Sequence, residues 1–77
     1  MKDLLIRIAQ GLVENPDEVR VDEDAPDEEG TIVYHLHVAE SDMGRVIGKQ
    51  GRIAKAIRMV MRAAATRNNC KVAVEID

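Results

Sequence analysis

Apolar positions recur along this chain in two alternating periods, and the switches between them mark its elements. From Lys2 to Glu14, Leu4, Leu5, Ile8, Ala9, Leu12 and Val13 fall three and four residues apart, the spacing that gathers side chains on one face of a helix. Asn15-Pro16 closes that segment, because the residue before a proline is driven out of the helical region. Val19 and Val21 then alternate with charged residues, which predicts a short half-buried strand over Glu18 to Glu23. The acidic run from Asp22 to Glu29, with Pro26 inside it and Gly30 after it, reads as a loop. Thr31 to Ala39 carries the strongest strand pattern, with Ile32, Tyr34, Leu36 and Val38 on one face and Val33, His35 and His37 on the other. A short helix is predicted over Asp42 to Ile47, capped by the side-chain oxygen of Ser41 or Asp42 and broken at Gly48. After Gly51 a longer helix runs to about Arg67, Asn68-Asn69 stops it, and Val72, Val74 and Ile76 alternate in a last strand over Lys71 to Ile76. The predicted order is α-β-β-α-α-β, an α+β chain.

The long helix carries more apolar surface than one stripe. At roughly 100° per residue, Ile53, Ile57, Val60 and Ala64 cluster as the predicted core stripe, with Lys55, Arg58 and Arg62 opposite. Two further flanks lie between these faces, Ala54-Met61-Ala65 and Ala56-Met59-Ala63. That surplus is either alanine filler or a surface for self-association, and those six residues are the candidate interface.

Composition narrows the functions available. A chain of 77 residues makes one domain, residues 1–77, with a small core. Tyr34 is its only aromatic residue, which excludes the ring platforms on which RRM and OB folds stack bases. The lone Cys70 has no partner for an internal disulfide and reads as a small packed residue. No apolar window is long enough to span a membrane, and Met1-Lys2-Asp3 does not open a secretory signal, so a cytoplasmic location without membrane insertion is expected. His35 and His37 point the same way from their strand, but a metal site needs three or four ligands, and the acidic run does not match an EF-hand loop. No nucleophile and base pair stands out either, so neither catalysis nor a cofactor is expected.

Charge changes the picture more than composition does. The net charge of −3 conceals ten acids against three bases in residues 1–30, and seven bases against one acid, Asp42, in residues 42–67. Association with a polyanion depends on the local field, and the positive half of the chain surrounds its glycine loop.

That loop is Val46-Ile47-Gly48-Lys49-Gln50-Gly51-Arg52-Ile53. Glycine keeps side chains away from an approaching phosphodiester and permits the positive φ a tight turn between helices requires. Backbone N–H groups of Lys49 to Arg52 are expected to face phosphate oxygens with the positive end of a helix dipole behind them, and Lys49 and Arg52 add charge. A P-loop is excluded: Gly44 and Gly48 have three residues between them rather than four, and Gln50 stands where its Ser or Thr belongs. The Gly-x-Gly-x-x-Gly spacing of a dinucleotide site is absent as well.

These residues resemble the Val-Ile-Gly-x-x-Gly signature of KH domains, and the predicted element order is similar to that of the type II, bacterial variety over the whole chain. The resemblance implies a three-stranded mixed sheet packed against three helices, and a loop that clamps about four nucleotides of single-stranded RNA or DNA. It implies RNA contacts from Gly44, Arg45, Val46, Ile47, Gly48, Lys49, Gln50, Gly51, Arg52 and Lys55, in a groove between the Gly44 to Ile57 helices and the Thr31 to Ala39 strand, with Gly44, Val46 and Ile47 as wall and Arg45 as charged rim. More narrowly, Asp42-Met43-Gly44-Arg45 ahead of the signature in so short a chain resembles the KhpA family of stand-alone bacterial KH proteins. That likeness implies an RNA chaperone-like regulator that forms homodimers, pairs with a larger KH protein of the KhpB (Jag) type, and influences cell-wall homeostasis and cell length.

Overall fold

A computed structural model describes residues 1–76, and the side chains of all of these except Lys49. The elements are α1 (Lys2–Leu12), a 3-10 turn at Pro16–Glu18, β1 (Arg20–Glu23), β2 (Thr31–His37), α2 (Glu40–Arg67) and β3 (Lys71–Ile76). α1 ends sooner than predicted because Val13 is already extended, at φ −117° and ψ 162°. Pro16 then opens the 3-10 turn, where a missing N–H leaves no bond unmade, and that turn takes residues predicted for the strand, so β1 begins at Arg20.

α2 spans 28 residues, but Gln50 (φ 64°) and Gly51 (φ 69°) are left-handed within it. Two successive left-handed residues cannot continue a right-handed path, so they divide α2 into a first arm over 40–49 and a second arm over 52–67. With the arms counted separately the order is α-β-β-α-α-β, as predicted. The division falls at Gln50-Gly51 and not at Gly48. The first arm also starts earlier, at Glu40, with Ala39 at its cap position and no side-chain capping bond. Asp42, expected to cap, is inside the helix and serves another purpose.

The sheet has the order β1-β2-β3 and is mixed. β2 pairs antiparallel with β1, placing Val21 opposite Leu36, and parallel with β3, placing Tyr34 opposite Val74. Parallel neighbours need a long crossover, and α2 supplies it. Because side chains alternate along a strand, Val21, Tyr34, Leu36 and Val74 share one face, where they pack with Leu5 and Ala9 of α1 and Ile57 and Met61 of α2. On the opposite face His35 Nε2 lies 2.8 Å from Asp24 Oδ2, and His37 Nε2 lies 3.1 Å from Asp22 Oδ2.

The second arm is turned relative to the predicted stripe. Ala54, Ile57, Met61 and Ala65 are its buried residues, whereas Val60 is 45% exposed and Met59 71% exposed. The buried line is thus rotated by roughly 75°, at about 100° per residue, toward the flank that was a candidate interface. The cause is β3: this strand packs against α2, and Arg58 Nε donates to Val74 O at 3.2 Å, drawing the Arg58 side of the helix over the sheet edge. Ala54, Met61 and Ala65 are therefore core residues and cannot meet a partner, while Ala56, Met59 and Ala63 remain exposed.

Candidate nucleic-acid interface

The site begins with the backbone of the glycine loop. Gly51 needs its glycine, since φ is +69°; Gly48 has no positive φ, so conformational freedom is not what it contributes. A Cβ built at Gly44 or Gly48 would meet no atom within 4 Å. Packing inside the chain does not require glycine at either position, and what these residues leave is bare backbone on an outer surface. Gly44, Arg45, Gly48, Arg52 and Ile53 together line a cleft of about 340 Å³. The fold therefore brings the glycines and two arginines from both arms to one concavity.

The remaining expected contacts distribute as helix geometry dictates. Arg45, Gln50, Arg52 and Lys55 are exposed, as is Gly44. Val46 is fully buried and belongs to the interior, so it is not a groove wall; its neighbour Ile47, about 100° further around the helix, is 53% exposed. The backbone of Lys49 lies in the first arm, and its side chain is outside the described residues.

The strand beside the basic side chains of the second arm is β3, where Arg58 Nε donates to Val74 O. The groove was expected against Thr31 to Ala39; β2 is the central strand of the sheet, and among the described residues no strand residue lines the glycine cleft. β3 is an outer strand, and Arg58, Met61, Arg62, Val72, Ala73 and Val74 line a cavity of about 180 Å³ between it and the second arm. Lys55, Arg58, Met59 and Arg62 line a neighbouring hollow of about 300 Å³. Basic side chains thus run along the second arm from Arg52 at the cleft toward the β3 edge.

The one acid in residues 42–67 sits at the root of the first arm. Asp42 is only 2% exposed. Its Oδ1 accepts from the Glu14 backbone N–H at 3.0 Å, and its Oδ2 accepts from the backbone N–H and the Nδ2 of Asn15, each at 3.0 Å. Asn15 Nδ2 also donates to Ser41 Oγ at 3.1 Å, and Arg45 Nη1 donates to Glu14 Oε1 at 3.1 Å. Burial disfavours the charge on Asp42, but the donors from Glu14 and Asn15 and the nearby Arg45 outweigh it and hold the carboxyl below its usual range. These donors keep the carboxylate ionised and tie the first arm to the Glu14-Asn15 backbone. Partners 27 and 28 residues away carry no local signature, and a helix cap was the natural reading of Asp42 from its neighbours alone.

Comparison with known proteins decides the family. The family model described as KhpA/KhpB, KH domain, matches residues 2–76. This chain belongs to the KhpA/KhpB KH-domain family. It is 57% identical over 76 residues to the RNA-binding protein KhpA of Clostridium acetobutylicum, covering 99% of each chain. It is 47% identical to that of Chlamydia caviae, covering 99% of this chain and 95% of the relative, and 46% identical to that of Listeria monocytogenes, covering 99% and 97%. Among the described residues no helix is long and apolar enough to cross a membrane, and no three His, Cys, Asp or Glu side chains converge as a metal site.

Proposed function

We propose that this chain is a non-catalytic binder of single-stranded RNA that grips the RNA backbone at the Gly48 to Gly51 loop. The observation that carries this reading is the cleft of Gly44, Arg45, Gly48, Arg52 and Ile53, where open glycine backbone and two guanidinium groups converge. Phosphate oxygens approach N–H groups at the start of the second arm, where the helix dipole is positive, and Arg45, Lys49, Arg52 and Lys55 supply charge. The apolar Ile47 and Ile53 suit bases held by shape rather than by aromatic stacking, in keeping with a chain that has only Tyr34 as a ring. Relatives named RNA-binding proteins support the choice of ligand.

By the same likeness the chain acts in the cytoplasm as an RNA chaperone or post-transcriptional regulator, alongside a KhpB (Jag) type partner, in cell-wall homeostasis and cell-length control. The outer apolar stripe favours a second, compatible property. Ala56, Met59, Val60 and Ala63 are exposed at the three- and four-residue spacing by which helices pack, and a homodimer formed there presents two loops to one RNA.

The test is the variant Lys49→Asp with Gln50→Asp, which sets carboxylates against phosphate and leaves both glycines in place. Wild-type binding to single-stranded RNA should weaken with salt at a log–log slope of roughly −1.5 to −3, for two to four phosphates at about −0.7 each. The double variant should lose that binding while keeping its helical circular dichroism; undiminished binding overturns the loop mechanism. A Met59→Asp variant that still sediments as the wild-type dimer overturns the stripe as the interface.

A further inference from the structure

The Glu14-Asn15 corner, which the RNA-binding reading leaves unused, is fastened to the root of the first arm by more contacts than a chain turn needs. The carboxylate of Asp42, buried inside the fold, fixes both backbone N–H groups of the corner, and Ser41 holds the Asn15 amide. Pro16 follows, so the backbone leaving the corner has a restricted φ as well. This arrangement presents the Glu14 side chain to Arg45, 3.1 Å away and 31 residues along the chain. Arg45 is also one of the two arginines in the cleft with Gly48.

We propose that Glu14 sets the affinity of the RNA site by competing with phosphate for the Arg45 guanidinium. The inference rests on the RNA-binding reading above. A carboxylate and a phosphodiester offer the same acceptor geometry to the planar fork of an arginine. An RNA backbone entering the cleft either displaces Glu14 from Arg45 or shares the guanidinium with it. In the first case an existing ion pair is lost, and in the second two anions are brought close together; both lower affinity. Glu14 thereby holds Arg45 at the rim of the cleft and makes binding weaker and more readily reversed than the local charge alone dictates.

The pair is solvent-exposed, with side-chain exposures of 74% for Glu14 and 51% for Arg45, so the effect is modest. Exposed pairs of this kind correspond to a change in affinity of about two- to five-fold. Glu14→Gln keeps the side-chain shape and the backbone N–H that Asp42 binds. Fluorescence anisotropy with a labelled single-stranded RNA of about eight nucleotides, roughly twice what one KH loop clamps, should show it binding about two- to five-fold tighter than wild type at low salt, with the gain shrinking as salt rises. Arg45→Gln should weaken binding, and adding Glu14→Gln to it should change nothing further. Unchanged or weaker binding by Glu14→Gln overturns the proposal, and so does an equal gain in the Arg45→Gln background, which would assign the effect to net charge alone. If wild type binds and only Glu14→Gln fails to respond, this inference falls and the RNA-binding reading stands; if wild type does not bind, both fall.

Discussion

Replacing Met61 by alanine removes a side chain that is 0% exposed and packs in one cluster with Leu5, Tyr34, Leu36 and Val74, whereas Met59, two residues earlier on the same helix, is 71% exposed. Truncating a buried methionine costs about 2–5 kcal/mol, through lost burial and the cavity left behind. Truncating an exposed one changes stability by no more than about 0.5 kcal/mol. A domain of 77 residues has roughly 4–12 kcal/mol of total stability, at about 0.05–0.15 kcal/mol per residue, so Met61→Ala removes a large part of it. Urea unfolding followed by far-ultraviolet circular dichroism reads the difference. With a denaturant slope of about 1 kcal/mol per molar for so short a chain, the Met61→Ala midpoint should fall by about 2 M or more, while that of Met59→Ala should stay near wild type. Equal shifts, or a larger one for Met59→Ala, would refute the orientation of the second arm. That orientation is what carries Arg58 and Arg62 to the β3 edge, so the groove assignment would fall with it.

The two glycines of the signature should respond in opposite ways. Gly51→Ala forces a left-handed backbone on an L-residue and should destabilise the fold by about 1–2 kcal/mol, whereas Gly48→Ala meets open space in a helix and should raise thermal stability by up to about 1 kcal/mol while weakening RNA binding. Asp42 should make the chain's stability acid-sensitive: a carboxyl held below its usual value of 3.8 contributes stability that is complete above that pH and disappears as the pH falls through the lower folded-state value. Urea unfolding at a series of acid pH values should therefore decline less steeply below about pH 4 in Asp42→Asn than in wild type, and parallel curves would contradict the clamp.

Local periodicity was enough to recover the element order, because each element of this chain is amphipathic on its own account. β3 was placed at Lys71 to Ile76 from the alternation of Val72, Val74 and Ile76 alone. The site was less legible, for three physical reasons. The second arm has apolar residues on three of its faces, so its sequence did not say which would turn inward; contact with β3 selected Met61 over Val60. Strand order is a long-range property, and the placement of β3 rather than β2 beside the basic stripe follows from pairing that no local pattern records. The third reason is Asp42: an aspartate next to a predicted helix start looks like a cap, and only the folded chain brings Glu14 and Asn15 to it. The glycine loop was readable as a place where backbone comes close to a ligand, although the left-handed pair proved to be Gln50 and Gly51.

On the proposed function, RNA meets the chain at the two arms of α2 and the turn between them. Amide chemical-shift mapping of the isotopically labelled protein during titration with single-stranded RNA tests it most directly, because every residue reports at once. The largest shifts should fall on Gly44 to Lys55 and extend to Arg58, Arg62 and the β3 edge at Val72 to Val74, with Asp22, His35 and His37 on the opposite sheet face left in place. Shifts centred on that sheet face or on the outer stripe of Met59 and Ala63, with the Gly48 to Gly51 amides unmoved, would contradict it.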